Sequence, residues 1–391
     1  MLLSIAFMLL VGMLFGWVCS KLKLPSLLGM IATGILLGPC VWNLIDSSIL
    51  AISADLRRIA LIIILTRAGL TLDLKDLKKV GRPAVLMCFV PAVFEITGMV
   101  LLAPQLLGVS VLEAAVMGAV VGAVSPAIIV PKMIKLMEEG YGKARGIPQL
   151  ILAGASVDDV FVIVLFTAFT GLVQGNDISV MSFVNIPVSI CLGIALGVLL
   201  GIVLGKYFKK IHMRDTVKVI IILSISFILV TVEDSLSIPI TFSALIAIMF
   251  MGIALQKKRE IVARRLSLKF NKLWVGAEIL LFVLVGATVD IHYVTKAGIQ
   301  AVLLIMGVLC FRMVGVLLCL LHTTLSGKER LFCMLAYTPK ATVQAAIGGV
   351  PLAMGLSCGN IVLTVAVLAI LITAPLGAFL IDATYKRLLI R

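Results

Sequence analysis

The chain has 391 residues, of which 62% are hydrophobic and only 13% charged, with a mean hydropathy of +1.22. Those figures exclude a water-soluble globular protein, whose surface would need far more polar residues to face water. A formal net charge of +14 would suit a nucleic-acid binder, but its placement along the chain does not.

Apolar stretches of about 20 residues, the length that crosses a hydrocarbon core, recur from end to end. In chain order the expected spans are 2–19, 25–43, 52–71, 83–104, 111–134, 147–174, 184–205, 216–232, 237–255, 272–288, 297–321, 329–354 and 359–384. The first has no basic leader ahead of it and is expected to be a retained helix. Between them the longest connection, Gln256 to Asn271, is basic and amphipathic and is expected to lie along the membrane surface.

The lysines and arginines sort by side. Of 33, the connections 1–2, 3–4, 5–6, 7–8, 9–10 and 11–12, with the adjoining span edges and the C-terminal tail, hold 27. The opposite side holds Arg57, Arg58 and Lys296, while Arg67, Arg312 and Lys340 fall inside spans. Positive charge accumulates on the inner side of membrane proteins. The N-terminus is therefore expected outside and the C-terminus in the cytoplasm, the expected setting being a bacterial inner (cell) membrane. The basic runs Lys206–Lys218 and Lys257–Lys272 read as topology signals that also attract anionic lipid. They give no support to nucleic-acid binding.

Neither a CxxC pair nor a metal-ligand spacing of histidines is present. Most of the eight cysteines, Cys88, Cys191, Cys310 and Cys319 among them, lie in apolar spans as small hydrophobes. No structural disulfide, metal centre or cofactor is expected.

Spans 5 and 12 differ from the rest. Span 5 reads Met117-Gly-Ala-Val-Val-Gly-Ala-Val-Ser-Pro-Ala-Ile-Ile-Val-Pro131, and span 12 carries Tyr337-Thr-Pro-Lys-Ala-Thr-Val-Gln-Ala-Ala-Ile-Gly-Gly-Val-Pro351. Proline removes an amide donor and obstructs the preceding turn, so each helix should break, near Ser125–Pro126 and near Pro339–Lys340. Each broken helix is fifth in a set of six spans, with span 7 between the sets. Glu95 in span 4 precedes Ser125 by 30 positions, and Arg312 in span 11 precedes Thr342 by 30. The expected architecture is an all-α membrane protein of about thirteen spans, made of two inverted six-helix repeats whose broken helices cross.

Asp158 and Asp159 lie in the middle of span 6, near the bilayer midplane. Ionised carboxylates there cost several kcal/mol unless something compensates them, which makes them candidates for function. Two so close cannot both ionise freely. The pair should hold either a proton or a metal cation near neutral pH, which is the minimum an antiporter needs. The alternative is a structural pair buried against a basic residue. Half-helix ends supply the rest of the site: unwound carbonyls near Val124 and Ser125 are candidate cation ligands, and Lys340 is placed to neutralise two facing C-terminal ends. Glu95 and Arg312 are expected to pair, tying the halves together without carrying ions. Arg67 is expected to snorkel or to pair with Asp73. Glu278 reads first as a solvated helix end near the inner surface, with cation attraction as the alternative, and Glu233 and Asp234 in an outer connection could steer cations weakly.

Three stretches together resemble the cation/proton antiporter superfamily, and within it sodium/proton exchangers with a double-aspartate motif. They are Gly122-Ala-Val-Ser-Pro-Ala-Ile-Ile-Val-Pro131, Gly154-Ala-Ser-Val-Asp-Asp-Val-Phe161 and Pro339-Lys-Ala-Thr-Val-Gln-Ala-Ala-Ile-Gly348. The resemblance implies a homodimer with a scaffold at 1–51 and 206–258, a linking helix at 184–205, and an ion-transporting core at 52–183 and 272–384 that slides like an elevator. It implies that Asp159 is the essential carrier of cation and proton, that Asp158 supports it, and that Ser125 or its neighbouring carbonyls complete the shell. Leu280-Leu-Phe-Val-Leu-Val-Gly286 lacks the lysine of the electrogenic bacterial members. A span 4 glutamate with a span 11 arginine looks more like a subgroup also found in eukaryotes. The function expected is exchange of Na⁺ or Li⁺ for H⁺, by a chain that is not an enzyme. K⁺/H⁺ exchange, a sodium-coupled organic-anion carrier and a gated channel are the alternatives.

Overall fold

A computed structural model describes residues 1–71, 81–174, 180–235, 242–289 and 291–391. Among them the secondary structure is α-helical throughout. The first half contains α1 (Leu2–Lys21), α2 (Ser26–Leu37), α3 (Ser47–Ala51), α4 (Ser53–Thr71), α5 (Arg82–Met87), α6 (Val90–Leu107), α7 (Val111–Val121), α8 (Pro126–Glu139) and α9 (Ile147–Gln174). The second contains α10 (Val180–Lys210), α11 (Asp215–Ser235), α12 (Ala244–Lys258), α13 (Glu260–Ala287), α14 (Ile291–Leu320), α15 (Gly327–Ala336), α16 (Thr342–Ile347), α17 (Val350–Ala353) and α18 (Gly359–Leu388).

Nine stretches among the described residues are helical, long and apolar enough to cross a membrane. The four other expected spans are helical but fall short for distinct reasons. α2 has 12 residues, α4 carries Asp55, Arg57, Arg58 and Arg67, α12 has 15 described residues, and the twelfth is interrupted between α15 and α16. One expectation is corrected. Residues 260–271 are not a separate surface element: they form the opening turns of α13, which continues without interruption into the apolar stretch. Glu260-Ile-Val-Ala-Arg-Arg-Leu-Ser-Leu-Lys-Phe-Asn271 holds neither glycine nor proline, so nothing ends the helix there.

The described residues form two compact units, one from Met1–Arg57, Lys75–Gln174 and Ile279–Arg391, the other from Arg58–Leu74 and Gly175–Glu278. In the second, α10 and α12 run parallel along a stripe of small residues. A Cβ on Gly193, Gly197 or Gly201 would lie 2.6, 2.3 or 2.5 Å from the carbonyl oxygens of Ser243, Ala247 and Met251. Backbones this close are how helices adhere where lipid removes the hydrophobic drive. At one end of this unit Arg58 grips Asp234 through both guanidinium nitrogens, at 2.6 and 2.9 Å.

In the first unit, α6 and α14 cross antiparallel with an internal symmetry. A Cβ on Gly98 would meet the ring of Phe311 at 2.7 Å, and one on Gly315 would meet Cβ of Phe94 at 3.1 Å. Phe94, Glu95 and Gly98 thus stand to Phe311, Arg312 and Gly315 as each repeat's copy of one pattern. Glu95 and Arg312 are 217 positions apart. Ser110 and Ser326, which start the two broken helices, keep nearly the same spacing. Each serine opens a capping box, with Glu113 and Glu329 respectively. Inverted repeats predict this mutual exchange of partners.

Candidate functional site

The broken helices come apart where the prolines stand. α7 ends at Val121 with Gly122 as its cap, residues 123–125 lie outside any helix, and α8 restarts with Pro126 at its first position, where a missing amide costs nothing. α15 ends at Ala336, and α16 restarts at Thr342. The two breaks meet: the Ser125 amide donates to the Pro339 carbonyl at 2.8 Å. Gln344, on the first turn of α16, donates its side-chain amide to the Val121 and Ala123 carbonyls at 3.1 and 2.9 Å. Carbonyls orphaned at one break are therefore satisfied by a side chain from the other.

Arg312 stands at this crossing, fully buried. Its Nε donates to the Tyr337 carbonyl at 2.7 Å, beside the α15 C-terminus, and its Nη1 donates to the Gly122 carbonyl, just past the C-terminus of α7. Here the structure corrects the sequence reading of Lys340. The cation that caps both facing C-terminal ends is Arg312, whose rigid fork spreads five donors over acceptors from several helices, while the compact Lys340 ammonium binds Glu95. Arg312 Nη1 also reaches Glu95 Oε2 at 2.6 Å, and Nη2 reaches Asp158 Oδ2 at 2.7 Å. Lys340 turns instead to Glu95, its Nζ donating to the same Oε2. The Lys340 amide donates to the Thr373 hydroxyl at 2.9 Å.

Asp158 and Asp159 project from the middle of α9, a helical step of about 100° apart. Asp158 is completely buried; its Oδ2 accepts from Arg312 and from the Val124 amide at 2.9 Å. Asp159 is 9% exposed, its Oδ1 has no hydrogen-bond partner, and among the described residues it enters no ion pair. The two acids are thus unlike. Arg312, Lys340, Glu95 and Asp158 form a buried quartet of two cations and two anions, and Asp159 is the acid left over.

Several buried oxygens at the crossing also lack partners: Ser125 Oγ, Asp158 Oδ1, Thr342 Oγ1 and Gln344 Oε1. Val124 contributes its amide to Asp158 from the same break. Gln344 and Tyr337 were not singled out from sequence. The Tyr337 hydroxyl donates to the Met87 carbonyl at 3.1 Å, and its ring lies under Arg312 with the guanidinium carbon 5.1 Å from the centroid. A polar or aromatic residue within a few positions of a proline break was the available signal. Among the charges placed near the mouths, Asp234 is taken by Arg58, and Glu233 Oε2 accepts from the Ala244 amide at 3.2 Å. Asp73, expected near Arg67, lies outside the described residues.

Comparison with known proteins follows the same lines. A family profile described as "Sodium/hydrogen exchanger, transmembrane" matches residues 5–386. The chain is 34% identical over 384 residues to sodium/hydrogen exchanger 9B2 of Homo sapiens, covering 94% of this chain and 70% of that protein. It is 31% identical over 394 residues to human sodium/hydrogen exchanger 9B1, covering 94% and 73%. In fold it resembles the sodium proton antiporter MjNhaP1 of Methanocaldococcus jannaschii, with a TM-score of 0.85 over 98% of this chain and 97% of that one, at 20% identity.

Proposed function

We propose, starting from the fact that this chain belongs to the sodium/hydrogen exchanger family, that it exchanges Na⁺ or Li⁺ for H⁺ with Asp159 as the carrier. The chain is a multi-pass membrane transporter, a cation/proton antiporter and not an enzyme, and it works on its transported ions without a cofactor. The finer reading concerns the ion, the residues and the motion.

One observation carries it. Asp159 is a buried carboxylate with a free oxygen and, among the described residues, no basic partner, beside a quartet whose charges already balance. A lone acid in such a place is stable only while something neutralises it, either a proton or a small cation. Binding of one expels the other, and that competition is antiport. Asp158 Oδ1 and Ser125 Oγ, both buried and unpartnered, are the oxygens proposed to complete the cation shell. The lysine and arginine bias supports a cytoplasmic C-terminus. The resemblance to the antiporter superfamily supports an elevator movement of the core at 52–183 and 272–384 against a homodimeric scaffold at 1–51 and 206–258.

Purified protein in proteoliposomes, with a preset pH gradient, tests the proposal. Addition of Na⁺ or Li⁺ should collapse the gradient in the wild type and leave it intact in Asp159→Asn. Exchange retained by that variant refutes the role of Asp159; collapse by K⁺ alone would instead assign potassium as the cation.

A further inference from the structure

In the second unit, a cavity of about 620 Å³ opens where α10 ends, α11 begins and α12 passes into α13. Lys209, His212, Arg214, Lys218, Arg259 and Arg265 all line it. Its one acid is Asp215, whose two oxygens are both taken: Lys218 Nζ lies 3.0 Å from Oδ1, and Arg265 Nε lies 3.2 Å from Oδ2. Lys218 is itself buried, 5% exposed, and stacks over the ring of Phe208 with its nitrogen 5.8 Å from the centroid. Among the described residues no acid pairs with Lys209, Arg214 or Arg259. These three cations, exposed or half-buried, therefore line one cavity with no acid to pair with among the described residues.

We propose that this cavity binds a phosphate-bearing anion. Arginine forks match phosphate oxygens, and a volume of this size holds a phosphorylated headgroup or a small phosphate compound. The fixed Lys218–Asp215–Arg265 arrangement holds the walls, while Lys209, Arg214 and Arg259 reach the ligand. The cavity lies at helix ends on the lysine- and arginine-rich side of the chain, where anionic lipid concentrates. The source is either such a lipid or a soluble phosphate. Occupancy joins the ends of α10 and α11 to the α12–α13 junction and so stabilises this unit.

Thermal unfolding of the full chain in mild detergent tests this, with phosphatidylcholine alone, with added phosphatidylglycerol, or with added inorganic pyrophosphate. The wild type should melt several degrees higher with phosphatidylglycerol if the source is lipid, or with pyrophosphate if it is soluble. R214Q/R259Q should lose that rise, and K386Q/R387Q, which removes equal charge from the C-terminal end, should keep it. The proposal is overturned if neither additive raises the wild type, if R214Q/R259Q keeps the full rise, or if both double variants lose it equally. Should R214Q/R259Q already melt low in phosphatidylcholine, native mass spectrometry decides: fewer retained phosphatidylglycerol or pyrophosphate molecules than wild type supports the site, and an equal number refutes it.

Discussion

Arg312 serves four acceptors with one side chain: the Tyr337 and Gly122 carbonyls and the carboxylates of Glu95 and Asp158. Its removal leaves Asp158 with no basic partner among the described residues, leaves Glu95 to Lys340 alone and frees two helix-end carbonyls, and breaking a buried pair from one side costs about 3–5 kcal/mol. Arg312→Met should therefore unfold at markedly lower denaturant or temperature than wild type, whereas Asp159→Asn, which breaks no pair, should unfold close to it. Equal stability of the two variants would contradict the network. At this scale the sequence was legible where a charge stood alone in an apolar run, because such a charge announces its own cost. Asp158, Asp159, Glu95, Arg312 and Lys340 were all visible in that way. Which cation meets which anion was not, since Lys340 and Arg312 compete for Glu95 in three dimensions and only the crossing of distant helices decides it. The difference between Asp158 and Asp159 has the same origin: adjacent in sequence, they face opposite chemistry once α9 turns between them.

The broken helices were the most readable elements, since proline and glycine interrupt a helix for reasons that need no neighbour. The two capping boxes, Ser110-Val-Leu-Glu113 and Ser326-Gly-Lys-Glu329, mark where those helices begin and were not singled out from sequence. The extent of α13 was not, because a basic amphipathic segment looks alike on a membrane surface and as the projecting end of a long helix. Close approach of α6 and α14 also escapes sequence, being a property of paired surfaces. It makes a sharp prediction. A side chain at Gly98 would collide with Phe311, and one at Gly315 with Phe94 and the Pro91 backbone. Overpacking of this kind costs about 1–3 kcal/mol. Gly98→Val and Gly315→Val should each destabilise, and by similar amounts if the two repeats are equivalent. A thermal shift for one with none for the other would argue against that equivalence.

At the scale of the whole molecule, the proposed competition for a single carboxylate would set how exchange depends on pH. On the acid side the apparent KM for Na⁺ should rise roughly tenfold for each unit by which pH falls, because every bound proton excludes a cation. Maximal rate at saturating Na⁺ should change far less. Initial rates of Na⁺ uptake over a range of pH check this, and a KM indifferent to pH would rule out a shared site.

The balanced quartet has a further consequence, in electrical terms. Moving one uncompensated elementary charge through the full field is worth about 2.3 kcal/mol per 100 mV. Two cations and two anions that travel together contribute nothing to that work. In its proposed role Asp159 would contribute nothing either when loaded, since Na⁺ or H⁺ would cancel its charge. On the proposed mechanism, a body built this way would cross with no net charge in either direction and would swap its passengers one for one. Transport should then run at the same rate whether the vesicle voltage is clamped at zero or at a large value of either sign, and carry no current.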